Sequence, residues 1–138
     1  MQATTNEEPG GKIREQERAQ RRAIEHLELS DSSAGARVAE VVRDRLADGS
    51  QRIVITNSDR EVPRDLVDHA FEALRYSGLV CAPDADGGIA LLGMSQPLDE
   101  LVAMIPFGSV GALEGLLTAA REHHVSVMLL PPARARVP

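Results

Sequence analysis

The alternation of apolar and polar positions predicts helices and strands in turn from residue 34 onwards. Apolar residues recur at helical spacing over residues 34–47, and Asp48-Gly49 is a typical helix end. The β-branched run at residues 52–56 lies between turn residues and predicts a central strand. Pro63 then opens a second amphipathic helix, which ends before Gly78. This order of elements is typical of a sheet covered by helices.

A hairpin and a final helix and strand complete the pattern. Two short apolar runs, residues 79–82 and 89–92, flank a loop rich in Asp and Gly and predict a hairpin. Residues 98–107 fit either a short helix or a strand, and we favour the helix. A helix opening at Gly108-Ser109 and a buried strand over residues 125–130 follow. The expected fold class is α/β, with α+β as the alternative, and the sheet has three or four strands.

The amino-terminal part follows a different pattern. Residues 1–11 are polar and aperiodic, so we expect a disordered tail. Residues 12–30 are densely charged and predict a helix with a thin apolar stripe, which contributes little to its own core. We expect this charged helix to dock on a partner. A single domain over residues 34–131 and a tail over residues 132–138 complete the organisation. The predicted partner-binding residues are Arg18, Arg21, Arg22, Ile24 and Leu27.

Composition narrows the classes of function. Apolar residues make up 43% of the chain but aromatic residues only 2%, so few rings are present for stacking on nucleic-acid bases. The net charge of −6 disfavours general binding to phosphate backbones. Cys81 is the only cysteine, which excludes an internal disulfide and a cysteine zinc cluster and fits a reducing cytoplasm. We expect a cytoplasmic protein without a membrane span.

Candidate catalytic chemistry is sparse. His69 follows Asp65 by one helical turn, a spacing typical of a solvated surface pair. His123 and His124 are adjacent and diverge on a helix, so they cannot share a metal ion in the way that histidines four residues apart do. We therefore expect no catalytic residues, no metal and no cofactor. Gly108 and Ser109, at a predicted helix start, form a candidate anion or phosphorylation site.

Two segments resemble known bacterial families. Over residues 36–92, the order of β-branched strand, polar turn, helix opened by Pro63 and strand pair resembles the amino-terminal part of excisionase-type antitoxin regulators. This resemblance implies a helix-turn-helix that reads DNA. Over residues 107–130, the segment Phe107-Gly108-Ser109 and the later strand resemble anti-sigma-factor antagonists. That resemblance implies that Ser109 is a phosphorylation switch.

The sequence thus favours a non-enzymatic bacterial regulatory or protein–protein interaction module. A protein partner or a homo-oligomer is expected, with neither a membrane nor a metal. The first alternative is an antitoxin-type transcriptional regulator that binds DNA. The second alternative is an enzyme whose site is shared across a subunit interface, because spacing along one chain does not reveal such a site.

Overall fold

The computed structural model describes residues 21–132, which form an open five-stranded sheet and four helices. The predicted α/β class is confirmed, although the sheet has one strand more than the upper expected count. The elements in chain order are β1 (Arg22–Leu27), α1 (Ala34–Ala47), β2 (Arg52–Asn57), α2 (Arg64–Ala73), β3 (Leu79–Pro83), β4 (Ile89–Met94), α3 (Asp99–Ala103), α4 (Ala112–Glu122) and β5 (Val127–Leu129).

The sheet is mixed, and its strand order is β1-β2-β4-β3-β5. β1 runs parallel to β2, and β3 runs parallel to β5. β4 lies in the centre and is antiparallel to both of its neighbours, β2 and β3. The four other strands therefore point the same way, and their carboxyl ends gather along one edge of the sheet.

Strand alternation divides the core into two layers. Ile53 and Ile55 of β2 face the layer formed with α1, α3 and α4, whereas Val54 between them faces α2. Every residue of β4 is buried, as a central strand covered on both faces requires. Across residues 21–132, no helix is both long enough and apolar enough to cross a membrane.

The helix predicted over residues 12–30 is wrong for its described part, because residues 22–27 form strand β1. All six residues of β1 pair in parallel register with β2. Glu25 of this strand forms an ion pair with Arg45 of α1, with 2.8 Å between Glu25 Oε2 and Arg45 Nε. Pairing with a neighbouring strand has overridden a weak helical preference. Residues 12–20 lie outside the described part of the chain.

The carboxyl-terminal elements differ in detail from the expectation. Residues 98–107 do contain a short helix, α3, and the strand alternative is wrong. α4 begins at Ala112 rather than at Gly108-Ser109, since Gly108 has a φ of +85° and belongs to the preceding turn. β5 is not the buried strand we expected. It pairs only with β3, and Leu129 is 48% exposed because β5 lies at the edge of the sheet.

Candidate functional site

A crevice of about 430 Å³ opens at the carboxyl ends of β1 and β2. One wall is the exposed face of β1, with Ile24 and His26, and the other is the β2–α2 loop with the start of α2. Ligands of open α/β sheets bind in crevices outside the carboxyl ends of the strands. The volume also lies within the range of small-molecule sites. This location therefore defines the candidate site.

Asn57, the last residue of β2, holds the base of the crevice together. Its amide nitrogen donates to Ser30 Oγ (3.1 Å) and to the carbonyl oxygen of Ile89 (3.2 Å). Its amide oxygen accepts from the backbone nitrogens of Leu29 (3.3 Å) and Asp59 (3.1 Å). Four bonds from one buried side chain fix the ends of β1, β2 and β4 relative to one another. Asn57 is thus a scaffold residue.

Arg60 joins the β2–α2 loop to the β3–β4 hairpin. Its Nε donates to Asp84 Oδ2 at 3.1 Å, and the side chain of Asp84 is only 4% exposed. The other carboxylate oxygen of Asp84 accepts from the backbone nitrogens of Asp86 (2.8 Å) and Gly88 (3.0 Å). Gly87 has a φ of +87°, which suits glycine at the tip of this turn. The loop rich in Asp and Gly is therefore a hairpin turn tied to the rim of the crevice.

Polar and apolar groups alternate along the floor of the crevice. His26 of β1 and Thr56 of β2 are register partners, and their Nδ1 and Oγ1 atoms are 2.5 Å apart. Ile24 and Val67 place apolar surface beside this pair. The floor thus offers a hydrogen-bonding imidazole and hydroxyl within an apolar strip.

Positive charge lies on the α2 side of the crevice. Arg64 is the first residue of α2, its side chain is 82% exposed, and its Nε lies 3.8 Å from Asp68 Oδ1. An exposed ion pair of this length is weak, so the guanidinium can turn to an anion. The first backbone N–H groups of a helix also favour negative charge. Arg60 is already paired with Asp84, so Arg64 supplies the guanidinium that makes this wall suited to a phosphate-bearing ligand.

The structure divides the predicted partner-binding residues. Arg22 and Ile24 lie on the exposed face of β1, whereas Leu27 lies on the opposite face and packs against the core. Arg21 precedes the strand, and Arg18 lies outside the described residues. Only Ile24 of this set lines the crevice. Their role in binding a partner stays a prediction.

Gly108 and Ser109, the candidate anion site, belong to a turn before α4. A Cβ on Gly108 would lie 3.0 Å from Asp31 Cα, so glycine permits the close approach of these two loops. Ser109 Oγ donates to the carbonyl oxygen of Pro106 (2.9 Å) and accepts from the backbone nitrogen of Gly111 (3.2 Å). The hydroxyl is used locally, and binding or modification at Ser109 stays a prediction.

Within residues 21–132, no three His, Cys, Asp or Glu side chains gather as ligands for a metal ion. Cys81 is buried in β3, where burial raises the pKa of its thiol to about 12 and the charge of Asp84 contributes to the rise. The thiol is therefore not a nucleophile at neutral pH.

The fold and crevice define an open mixed α/β protein with a crevice at the carboxyl ends of its parallel strands. The chain belongs to the bacterial family described as "Uncharacterized protein conserved in bacteria (DUF2064)", whose model matches residues 5–109. Its fold is similar to that of a "putative nucleotide-diphospho-sugar transferase" from Desulfovibrio desulfuricans G20, with a TM-score of 0.66 and 24% identity. The similarity covers 72% of this chain and 45% of the Desulfovibrio protein. No curated protein matches the chain.

These findings correct the functional expectations. The resemblances to antitoxin regulators over residues 36–92 and to anti-sigma-factor antagonists over residues 107–130 are wrong, because both the family and the fold are different ones. The non-enzymatic regulatory module is likewise wrong, since the shared fold is that of a protein described as a transferase. A strand, turn and helix occur in many α/β proteins, and residues 98–109, which follow the resembling segment, hold one helix, the five-residue α3.

Proposed function

We propose that the chain binds a nucleotide-diphospho-sugar and forms the substrate-binding part of a glycosyl-transferring enzyme. The observation that carries this proposal is the crevice at the carboxyl ends of β1 and β2, with Arg60 and Arg64 on one wall. The fold of the Desulfovibrio protein supports it, because that protein is described as acting on ligands of this class. The chain spans less than half of that protein, so the proposal assigns ligand binding to this crevice and leaves the transfer step to the complete enzyme.

The crevice offers a charged group for the diphosphate of such a ligand, polar groups for its sugar, and apolar surface beside them. A diphosphate is a double anion, and guanidinium groups bind phosphate oxygens with paired hydrogen bonds. Arg64 supplies such a group beside the amino terminus of α2. His26 and Thr56 can hydrogen-bond sugar hydroxyls, while Ile24 and Val67 supply apolar contact. The scaffold bonds of Asn57 hold this arrangement rigid.

Titration with UDP-glucose and GDP-mannose, followed by amide chemical shifts and calorimetry, tests the proposal. We expect saturable shifts in residues 57–64. We also expect Arg64→Ala to weaken binding about tenfold, because it removes one charge-assisted hydrogen bond. Arg121→Ala is the matched control, since it makes the same charge change on an exposed residue of α4, on the other face of the sheet. Chemical-shift changes spread over the whole surface contradict the proposal. Equal losses of binding affinity in Arg64→Ala and Arg121→Ala contradict it as well.

The second alternative from the sequence, an enzyme whose site is shared across a subunit interface, is compatible with the same crevice. β1 has one neighbour in the sheet formed by residues 21–132, so the crevice is open on the side of β1. A second subunit placed there would complete the β1 wall. Light scattering with and without the sugar nucleotide tests this form of the proposal, and a monomer in both conditions contradicts it.

We place this function in the cytoplasm. Support comes from Cys81, the single cysteine of the chain, which is unpaired and buried. Such cysteine usage is typical of a reducing compartment.

A further inference from the structure

Three arginines line a second cleft of about 410 Å³, which lies at the amino ends of β1 and β2. Arg22 and Arg52 are the first residues of β1 and β2 and are register partners, so their side chains share one face. Arg75 reaches the same cleft from the turn after α2. This concentration of positive charge runs against the net charge of −6 of the whole chain.

Phe71 holds two of these side chains in place. The guanidinium of Arg22 lies over its ring, 4.7 Å from the ring centroid. Arg52 donates from Nη1 to the carbonyl oxygen of Phe71 at 3.0 Å. Partial burial lowers the pKa of Arg52, and the charges of Arg22 and Arg75 lower it further, while Glu72 opposes them. The cations therefore repel one another inside the cleft, and a bound anion would relieve this repulsion.

Two acidic residues also line the cleft. Glu72 Oε1 lies 3.6 Å from Arg75 Nη1. Asp68 also lines the cleft but lies 3.8 Å from Arg64, the arginine of the first crevice. The lining formed by the described residues therefore holds three arginines and two carboxylates, and Asp68 is shared with another arginine. Gln51 adds a neutral donor to the lining.

We propose that the cleft around Arg22, Arg52 and Arg75 is a second ligand site, which binds the phosphate dianion of a small phosphorylated molecule. Arginines arranged around one cleft suit a phosphate group because guanidinium forks match its oxygens. The ring of Phe71 is buried and covered by Arg22, so it offers no face for stacking a nucleobase. The ligand class is therefore a phosphate or a phosphomonoester rather than a nucleotide. This site is separate from the crevice at the carboxyl edge and does not depend on its function.

Amide chemical shifts of the full chain, titrated with inorganic phosphate and with glucose 1-phosphate, test this proposal. Ionic strength is held constant with sodium chloride. We expect saturable shifts at Gln51, Arg52 and Arg75. The variant Arg22→Gln with Arg75→Gln should weaken binding at least tenfold, whereas Arg121→Gln should leave it unchanged. Binding of both probes identifies the phosphate group as sufficient, and binding of glucose 1-phosphate alone identifies an ester as the ligand.

Two outcomes overturn the proposal. One is a response to phosphate that is no larger than the response to chloride. The other is a set of shifts confined to residues 57–64 that Arg64→Ala abolishes and the double variant does not, since phosphate would then occupy only the first crevice. Far-UV circular dichroism of each variant confirms that it is folded. Loss of sugar-nucleotide binding in Arg64→Ala with phosphate binding retained separates the two sites.

Discussion

At the scale of single residues, Cys81 shows how burial controls chemistry. The thiol lies in β3 with no exposed surface, and its pKa is raised from 9.0 to about 12. The cause is first the loss of solvation of the thiolate and second the negative charge of Asp84. A group whose pKa is raised by folding stabilises the folded state below its unfolded pKa and loses this contribution as the pH rises.

Stability should therefore fall in alkaline solution through Cys81. Between pH 9 and pH 12, the unfolded chain ionises this thiol and the folded chain does not. The free energy of unfolding should decrease by up to about 1.4 kcal/mol per pH unit through this residue. Urea denaturation at pH 8, 9 and 10 measures the slope. Cys81→Ala should lack this part of the slope, and equal slopes in the two proteins would show that the thiol is not responsible.

Gly115 and Gly35 make a matched pair of helical glycines. A Cβ on Gly115 of α4 would lie 2.6 Å from Pro106 Cγ, and the proline ring has little freedom to move. A Cβ on Gly35 of α1 would meet its nearest atom, the carbonyl oxygen of Val102, at 3.4 Å, an ordinary contact.

Alanine should consequently have opposite effects at the two glycines. Gly115→Ala should destabilise the protein by about 1–3 kcal/mol, because overpacking outweighs the gain in helix propensity. Gly35→Ala should stabilise it by about 0.5–1 kcal/mol. Thermal denaturation of both variants measures these effects. Stabilisation by Gly115→Ala would mean that Pro106 moves aside at little cost.

The residue scale is also where the sequence was least informative about the site. Of the predicted site residues only Ile24 lines the crevice, because alternation along β1 sends Leu27 to the core. Asn57 reads as an ordinary turn residue in the sequence, yet it bonds two distant segments, residues 29–30 and Ile89. The sequence signal that could have identified it is an asparagine placed directly after a β-branched strand. Partners 27 to 32 residues away are set by the fold and not by local pattern.

At the scale of elements, the entry to α1 depends on one carboxylate. Asp31 Oδ1 accepts from the backbone nitrogen and the hydroxyl of Ser33, each at 2.8 Å. Arg37 Nη2 lies 3.0 Å from Asp31 Oδ2 and also donates to the carbonyl oxygen of Glu28. These bonds, with those from Ser33 first, lower the pKa of Asp31.

Replacement of Asp31 should loosen the start of α1. Asp31→Ala removes the acceptor shared by Ser33 and Arg37, so the melting temperature should fall at pH 7. Because folding lowers this pKa, the contribution is present above pH 3.8 and is lost as the pH falls towards the folded pKa. Melting curves of both proteins at pH 7 and pH 3 measure the difference. A difference that stays the same at both pH values would assign the effect to something other than the charged carboxylate.

Most elements were predictable because their patterns are local. α1 has the bounds that its apolar spacing predicted, and β2, α2 and the β3–β4 hairpin follow their predicted order. β1 was mistaken for a helix because its charges fit a helical series, while its strand partner lies 30 residues away at the level of His26 and Thr56. Strand pairing with a distant segment leaves little trace in the sequence of an edge strand.

At the scale of the whole molecule, the Arg60–Asp84 ion pair connects the β1-α1-β2 part with the β3–β4 hairpin. Asp84 is buried, so among the described residues loss of Arg60 leaves its carboxylate supported by backbone N–H groups of its own turn. This pair acts over 24 residues of chain and ties the β2–α2 wall of the crevice to the hairpin.

Breaking this connection should cost stability. Arg60→Ala should lower the free energy of unfolding by about 1–3 kcal/mol, because a hydrogen bond to a buried charged group is lost. A double-mutant cycle with Asp84→Asn, measured by urea denaturation, should give a positive coupling energy. Arg64→Ala serves as the control, because Arg64 is exposed and its partner Asp68 lies on its own helix. A coupling energy near zero would exclude the ion pair as a connection between the two parts.

The class of fold was predictable from the sequence, whereas the topology and the function were not. Alternating elements indicate α/β, but nothing local specifies that β4 enters between β2 and β3. The crevice forms only after this arrangement brings the ends of β1, β2 and β4 together. Interpretation from short segments consequently led to regulatory families whose fold this chain does not share.

The central position of β4 also sets an order of events during synthesis. β2 ends at Asn57, but its second edge stays unpaired until residues 89–94 have left the ribosome. Throughout that interval, the growing chain carries an apolar strand with a free row of backbone donors and acceptors, the type of edge that recruits other chains. We therefore expect the chain to be most prone to association with other chains during synthesis between Asn57 and Met94, so slow codons there should lower its yield.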